Sequence, residues 1–130
     1  MPKMISFPYQ PDVKGNLFPL VSISLSYKDN RNDYFALIDS GATVSIFKID
    51  VAEYLGVEIE KGEEIVMSGV GGWIKGYVHK LTLEVAGQKL TCPVVFSREY
   101  LVSFNILGRK SFFEKFKITF DESQKRVILQ

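Results

Sequence analysis

The sequence has little of what metal centres and nucleophilic triads require. Its 130 residues include one cysteine, Cys92, and one histidine, His79. A lone cysteine excludes an intrachain disulfide, and the two residues together cannot form a Cys/His zinc site within one chain. No Ser-His-Asp arrangement has obvious support, and we expect neither a metal nor a cofactor. Cys92 is expected to be a small buried apolar residue, and His79 a surface or hydrogen-bonded strand residue rather than a ligand.

An excess of charge of either sign is also absent. Sixteen Lys and Arg residues are balanced by 15 Asp and Glu residues, which leaves a formal net charge of +1. Electrostatics therefore gives no reason to propose nucleic acid or an anionic membrane as a partner. No stretch approaches the roughly 18 to 20 apolar residues of a membrane span, and no long apolar run follows the basic residue at the N-terminus. We expect a cytoplasmic protein.

Length and pattern together predict one small all-β domain. A chain of 130 residues has room for one hydrophobic core. Residues 1–17 hold three of the five prolines and are expected to form an irregular N-terminal arm, followed by a single domain over 18–130. Many short strands separated by polar turns predict a small closed β-barrel with one or two short helices, expected at 50–55 and 109–115.

A predicted hairpin leads to the first candidate functional residue. Residues 21–27 alternate apolar and polar side chains, which is the pattern of a half-buried strand. Residues 28–33 are polar and predict a turn. Residues 34–38 predict a second strand that ends at Asp39.

Two signals define the helix expected at 50–55. Asp50 and Glu53 have the spacing of an N-terminal capping box, and Gly56 suits the C-terminal cap. From residue 63 to residue 96 the pattern predicts strands again.

The tripeptide Asp39-Ser40-Gly41 places an ionisable carboxylate at the end of a hydrophobic run. Burial makes a charged carboxylate costly, so such a residue usually has a partner or a chemical task. Ser40 offers a hydroxyl that can hold local geometry, and Gly41 permits a tight turn and close approach to a ligand. This is the layout of an aspartic-protease catalytic loop. An ordinary turn between strands would also explain it, because such a triplet arises by chance in roughly one in twenty chains of this length.

A glycine-rich segment lies between two strand-like runs, and its sequence is Ser68-Gly69-Val70-Gly71-Gly72-Trp73-Ile74-Lys75. Glycines in that position favour a hairpin tip that tolerates positive φ and bends easily. A phosphate-binding loop would instead need a helix after the glycines, so that amide dipoles converge on the anion. Because residues 74–83 alternate as a strand does, we interpret the segment as a mobile hairpin lid.

A third motif, Ile106-Leu107-Gly108-Arg109, precedes the second expected helix. Together with Asp39-Ser40-Gly41-Ala42 and the glycine-rich segment, it resembles the motifs of the retropepsin-like aspartic proteases, which include the retroviral proteases and small cellular relatives. The resemblance extends from about Val21 to Leu129 and rests on all three motifs in the same order.

The resemblance implies a peptidase reaction in which two carboxylates activate a water molecule. It assigns catalysis to Asp39, Ser40 and Gly41, and substrate binding to Ala42, Gly69, Val70, Gly71, Gly72 and Trp73. It assigns structural support of the site to Ile106, Leu107, Gly108 and Arg109. Only Asp39, among six aspartates, is followed by Ser-Gly, so the second carboxylate must come from another copy across a twofold axis. The implied assembly is a homodimer that acts on an extended polypeptide, with apolar lining expected from Leu37, Val70 and Ile74.

Departures from the retroviral pattern leave part of the site undefined. Thr43 and Lys110 occupy positions where Asp or Asn is frequent, so the charge partner of Arg109 is open. The arm and the segment 89–104 also look longer than in the viral enzymes.

Two other functions remain open on the sequence. The chain could keep the fold as a catalytically silent peptide-binding or dimerisation module, although folding alone requires neither the Asp-Ser-Gly motif nor the glycine-rich lid. An unrelated small barrel that binds nucleic acid would need a basic surface and interleaved aromatic residues, which this sequence lacks.

Overall fold

A computed structural model describes residues 3–69 and 72–130, and these residues are mostly β-structure. The strands, in chain order, are β1 (Ile5–Pro8), β2 (Gln10–Pro11), β3 (Leu17–Phe18), β4 (Leu20–Tyr27), β5 (Asn30–Ile38), β6 (Ser45–Phe47), β7 (Glu63–Gly69), β8 (Gly72–Val85), β9 (Gln88–Phe96), β10 (Asn105–Leu107), β11 (Ile118–Asp121) and β12 (Arg126–Leu129). The α-helix α1 spans Ile49–Leu55, and a 3₁₀ turn spans Ile59–Lys61. The predicted all-β class is confirmed.

Seven of the strands belong to one sheet, and six of these form a closed barrel. The hydrogen-bonded order of the seven is β4-β5-β10-β6-β9-β8-β7, and β4 also pairs with β8. This additional pairing joins β8 back to β4 and closes the ring, while β7 extends from the ring as the outer partner of β8. Two of the pairs, β5 with β10 and β6 with β9, are parallel. The predicted barrel is confirmed.

Alternating side chains fill the interior of the barrel. On β4, Val21, Ile23 and Leu25 are buried, whereas the intervening Ser22 is exposed. This is the period-two pattern that the sequence predicts. Burial of a large apolar side chain contributes about 1.5–3 kcal/mol, so the inward-facing rows fix the register of the strands that carry the site.

The hairpin that leads to Asp39 is tighter than predicted. Only Lys28 and Asp29 separate β4 from β5, so the second strand begins at Asn30 rather than at residue 34. Lys28 adopts the left-handed conformation (φ 54°), which suits a two-residue connection. The polar residues at 30–33 form the exposed beginning of β5, not a longer turn.

The N-terminal segment is more regular than predicted. β1, within residues 1–17, pairs antiparallel with β12, and β12 pairs on its other side with β11. Pro8 is tolerated because β1 is an edge strand of this three-stranded sheet, where proline is compatible with the pairing. Phe7 and Tyr9 contact the hydrophobic core. Core burial and the pairing with β12, which the local proline content does not reveal, order this part of the chain.

The caps of α1 follow the sequence prediction at one end only. Gly56 adopts the left-handed conformation (φ 77°), and its N–H donates to the carbonyls of Ala52 and Glu53. The predicted capping box is wrong. Lys48 is the N-cap residue without a side-chain cap bond, and Asp50 lies inside the helix.

The helix predicted at 109–115 is interrupted. Lys110 has ψ 125° and Ser111 has φ 71°, so neither is helical. The Ser111 N–H donates to Glu114 Oε1 (2.7 Å), and a single helical turn follows. The irregular start results from the tertiary contacts of Arg109 and Lys110 with the Asp39 loop, described next.

Candidate active site

Strand β5 determines where the Asp39 carboxylate lies. β5 is paired on both sides, and its pairing with β10 continues as the Asp39 N–H donates to the Leu107 carbonyl (3.1 Å). The loop then turns back on the carboxylate. The Gly41 N–H donates to Asp39 Oδ1 (2.9 Å), and the Ala42 N–H donates to the Asp39 carbonyl (3.1 Å). The Asp39 side chain is thus held by the Gly41 N–H, and because it is only half-buried it remains accessible.

Gly108 joins the third motif to this loop. Its N–H donates to the hydroxyl of the buried Ser45 (3.0 Å). A Cβ at Gly108 would lie 2.4 Å from the Val44 carbonyl oxygen, so a side chain has no space there. The adjacent Arg109 N–H donates to the Ala42 carbonyl (2.9 Å). The structure therefore brings together two motifs that are distant in the sequence.

The Arg109 side chain has no carboxylate partner among residues 3–69 and 72–130. Its Nη2 lies 3.4 Å from Thr43 Oγ1, which is a long and weak hydrogen bond. The contribution of Arg109 to the loop thus comes from its backbone N–H, and Lys110 contributes in the same way by donating its N–H to the Thr43 carbonyl (2.9 Å). Backbone hydrogen bonds therefore connect residues 109–110 to the Asp39 loop, whereas the sequence had left a charge partner of Arg109 open.

The β7–β8 hairpin carries the glycine-rich segment. Its pairs extend from Glu63–Val78 to Gly69–Gly72, and Val70 and Gly71 lie outside the described residues. Gly72 has φ +119°, a conformation that L side chains rarely adopt, although a Cβ there would meet no atom within 4 Å. Trp73 is 73% exposed. The predicted roles of these residues in substrate binding stay predictions.

A cleft of about 590 Å³ lies between the Asp39 loop, the β7–β8 hairpin and residues 99–102. Its lining includes six residues singled out by the sequence, namely Asp39, Gly41, Ala42, Gly72, Ile74 and Ile106. Seven further residues line it, namely Ile46, Met67, Ser68, Glu99, Tyr100, Leu101 and Val102. Ser40 is exposed and lies outside this lining, as does Leu37.

Residues 99–102 form a wall of the cleft that the sequence analysis missed. The Tyr100 hydroxyl donates to the Phe104 carbonyl (2.7 Å) and closes this loop. Burial, and after it the negative charge of Asp39, raises the pKa of Tyr100 to about 12. The charge of Asp39 thus contributes to keeping the Tyr100 hydroxyl protonated. One signal was present in the sequence, since the segment 89–104 is long and contains the apolar pair Leu101-Val102.

The single cysteine, Cys92, and the single histidine, His79, have the environments that the sequence predicts. Cys92 is fully buried, and burial raises the pKa of its thiol, which disfavours the reactive thiolate. His79 Nε2 lies 2.9 Å from the Ile59 carbonyl oxygen. In the described part of the chain, no group of three or more His, Cys, Asp or Glu side chains could hold a metal ion. None of the helices described there is long and apolar enough to cross a membrane.

Comparison with solved structures finds a similar chain, the EIAV protease in complex with the inhibitor HBY-793. The match has a TM-score of 0.57 and 19% sequence identity, and it covers 75% of this chain and 88% of the EIAV protease chain. No protein-family model matches the sequence, and neither does any curated protein. At this level of identity the likeness shows the fold. The chain has an all-β, retropepsin-type fold with short helices.

Proposed function

We propose that the chain is an aspartic endopeptidase and that its active site contains Asp39 from each of two copies. The observation that carries the proposal is the position of Asp39. Its half-buried carboxylate, held by the Gly41 N–H, lines a cleft of about 590 Å³ beside a glycine-rich hairpin. The likeness to the EIAV protease supports the fold on which such a site is built.

The proposed chemistry needs two carboxylates that share one proton. The ionised aspartate takes a proton from a water molecule, and the protonated one donates to the carbonyl oxygen of the peptide bond. Like charges about 3 Å apart cannot both be stable, so one proton stays on the pair. Because the titration belongs to the pair, we expect activity to fall on both sides of a pH optimum.

The need for a second carboxylate supports a homodimer. Among the described residues that line the cleft, Glu99 is the other carboxylate besides Asp39. Glu99 Oε1 already accepts a hydrogen bond from the Lys75 N–H (2.7 Å). A twofold axis between two Asp39 loops would instead supply two equivalent carboxylates, each with the same support from its own chain.

An extended polypeptide is the substrate that such a cleft would accommodate. The Gly41 carbonyl lies on one side of the cleft and Gly72 on another, so a peptide between them could form main-chain hydrogen bonds. Ser40 would hold the two Asp39 loops together, and Gly69 to Trp73 would cover the bound peptide. The apolar lining from Ile46, Met67 and Ile74 favours apolar side chains at the cut.

Replacement of the carboxylate tests the proposal. In Asp39→Asn the amide oxygen can still accept from the Gly41 N–H, so we expect the fold to persist while cleavage of a denatured protein falls by about 10²–10⁴-fold. The matched control is Asp29→Asn, because Asp29 is exposed in the β4–β5 turn. Fragment appearance by mass spectrometry, at several pH values and with or without a transition-state analogue such as pepstatin, is the measurement.

Two outcomes would contradict the proposal. Activity of Asp39→Asn within tenfold of wild type would remove Asp39 from the mechanism. Tight binding of peptides by a wild-type protein that cleaves none of them would identify a catalytically silent peptide-binding module.

A further inference from the structure

The charged residues of the cleft all have the same sign. Asp39 and Glu99 contribute carboxylates, and no lysine or arginine is found among the described lining residues. The other side chains there are mainly apolar. Such a lining favours a ligand that combines apolar groups with positive charge.

Glu99 is held in a defined position by strand β8. The Lys75 N–H donates to Glu99 Oε1 (2.7 Å). The Glu99 N–H donates to Ser97 Oγ (3.1 Å), and Ser97 Oγ donates to the Lys75 carbonyl (2.5 Å). Ser97 is 1% exposed. Glu99 is exposed, and its carboxylate is anchored through Oε1, while its second oxygen, Oε2, accepts no hydrogen bond from the described residues.

The cations nearest to Glu99 in sequence and in the hydrogen-bond network are directed elsewhere. The guanidinium of Arg98 donates twice to Glu60, at 2.8 Å and 3.2 Å. Lys75 Nζ lies 3.9 Å from Glu64 Oε1. Within residues 3–69 and 72–130, no lysine or arginine forms an ion pair with Glu99. The negative charge of Glu99 is thus left for a ligand in the cleft.

We propose that Glu99 is a specificity-determining residue that selects polypeptides with a lysine or arginine near the cleaved bond. This inference rests on the proposed endopeptidase function. A substrate ammonium or guanidinium group would donate to Glu99 Oε2 in a charge-assisted hydrogen bond, and the flanking apolar residues would pack in the rest of the cleft. In a twofold dimer the single shared cleft contains two copies of Glu99, one from each chain, so the preference recurs at equal distances on both sides of the cut.

Matched peptides measure this preference. Peptides that differ at one position, scanned along the sequence on both sides of the cut, carry lysine, its neutral isostere norleucine, or glutamate. At low ionic strength we expect kcat/KM for the lysine peptide to exceed that for norleucine by about tenfold at two symmetric positions, and the glutamate peptide to be poorest. Added salt should reduce the ratio.

Two variants separate the charge of Glu99 from its anchoring role. Glu99→Gln can still accept from the Lys75 N–H, so cleavage of the norleucine peptide should persist while the lysine preference falls to about one- to twofold. Glu63→Gln removes the same charge from an exposed site on β7 outside the cleft lining, and the preference should be unchanged. Binding of the same peptides to Asp39→Asn, measured by fluorescence anisotropy, gives a readout that does not depend on turnover.

The outcomes separate this inference from the proposed function. If wild type cleaves peptides but Glu99→Gln retains the lysine preference, the specificity role is wrong and the endopeptidase proposal stands. If Glu99→Gln loses cleavage of every peptide while remaining folded, Glu99 is needed for cleavage itself, and the specificity role is wrong. If wild type cleaves none and Asp39→Asn binds lysine and norleucine peptides equally, both proposals fail.

Discussion

At the scale of single residues, the candidate site depends on one buried hydroxyl. Ser45 is 0% exposed, and its Oγ accepts the Gly108 N–H at 3.0 Å. This bond connects the strand that follows the Asp39 loop to the strand end that supports that loop. Without the hydroxyl, the buried Gly108 N–H would have no acceptor, and such a loss costs about 1–3 kcal/mol.

We therefore expect Ser45→Ala to lower the free energy of unfolding by about 1–3 kcal/mol, measured by urea denaturation. The matched control is Ser22→Ala, in which the same change is made at an exposed position of β4, and its effect should stay within about 0.5 kcal/mol. Equal effects of the two substitutions would show that the bond between the Ser45 hydroxyl and the Gly108 N–H does not stabilise the fold.

Side chains near Asp39 were predictable only where the local sequence carries the signal. Asp39, Gly41 and Gly108 belong to compact motifs, and the structure brings them together. Glu99 was missed because its place in the cleft comes from a hydrogen bond to Lys75, and nothing in the sequence around residue 99 specifies that contact. The environment of Arg109 could not be predicted either, because backbone hydrogen bonds rather than an ion pair hold its position.

At the scale of elements, the β7–β8 hairpin extends beyond the barrel. β8 pairs with β9 from Tyr77 to Val85, whereas its residues before Tyr77 pair with β7. Lys75 is still bonded to Ser97 and Glu99, so only the tip beyond it, residues 67–69 and 72–74, is a two-stranded ribbon without such ties. A ribbon of this kind has few core contacts to hold it still. That arrangement is suited to a lid that closes over a peptide.

A substitution that stiffens the tip of the β7–β8 hairpin should impair closure over the peptide without a large loss of stability. Gly72 has φ +119° and open space, so Gly72→Val introduces backbone strain without a clash. Gly15→Val is the matched control, because Gly15 also has positive φ (+85°) and open space but lies in the N-terminal arm. We expect similar, small changes of Tm in both variants and at least about a tenfold loss of kcat/KM only in Gly72→Val.

An unchanged kcat/KM in well-folded Gly72→Val would mean that the hairpin is not a lid. If kcat/KM of Gly15→Val falls by the same factor, the effect comes from general destabilisation and not from the hairpin.

Element boundaries show where sequence patterns stop being informative. Period-two alternation located β4, because one of its faces is buried, and a hydrophobic run located the strand leading to Asp39. The polar start of β5 was taken for a turn, since polarity does not distinguish an exposed strand from a loop. β1 was missed because pairing with β12, at the other end of the chain, determines its structure. The predicted capping box failed because Lys48, rather than Asp50, occupies the N-cap.

At the scale of the whole molecule, the terminal sheet limits how two copies can meet. β12 is paired on one side with β1 and on the other with β11 of the same chain. A second copy therefore cannot add a strand to β12 without displacing one of them. Among the described residues β1 and β11 are each paired on one side only. The proposed shared site itself requires a twofold contact around the Asp39 loops, where the exposed side chains include Leu101, which is 91% exposed, and Val102, which is 49% exposed.

Mixing wild type with Asp39→Asn tests most directly the central claim that each active site needs Asp39 from two copies. Wild type is held at a fixed concentration above the dissociation range, an equal amount of the variant is added, and peptide cleavage is measured after subunit exchange. Random pairing predicts that activity falls to about half, because half of the wild-type subunits then face an inactive partner. Dilution of wild type alone should lower its specific activity. Activity that is unchanged by the variant, together with a specific activity independent of concentration, would contradict the shared site.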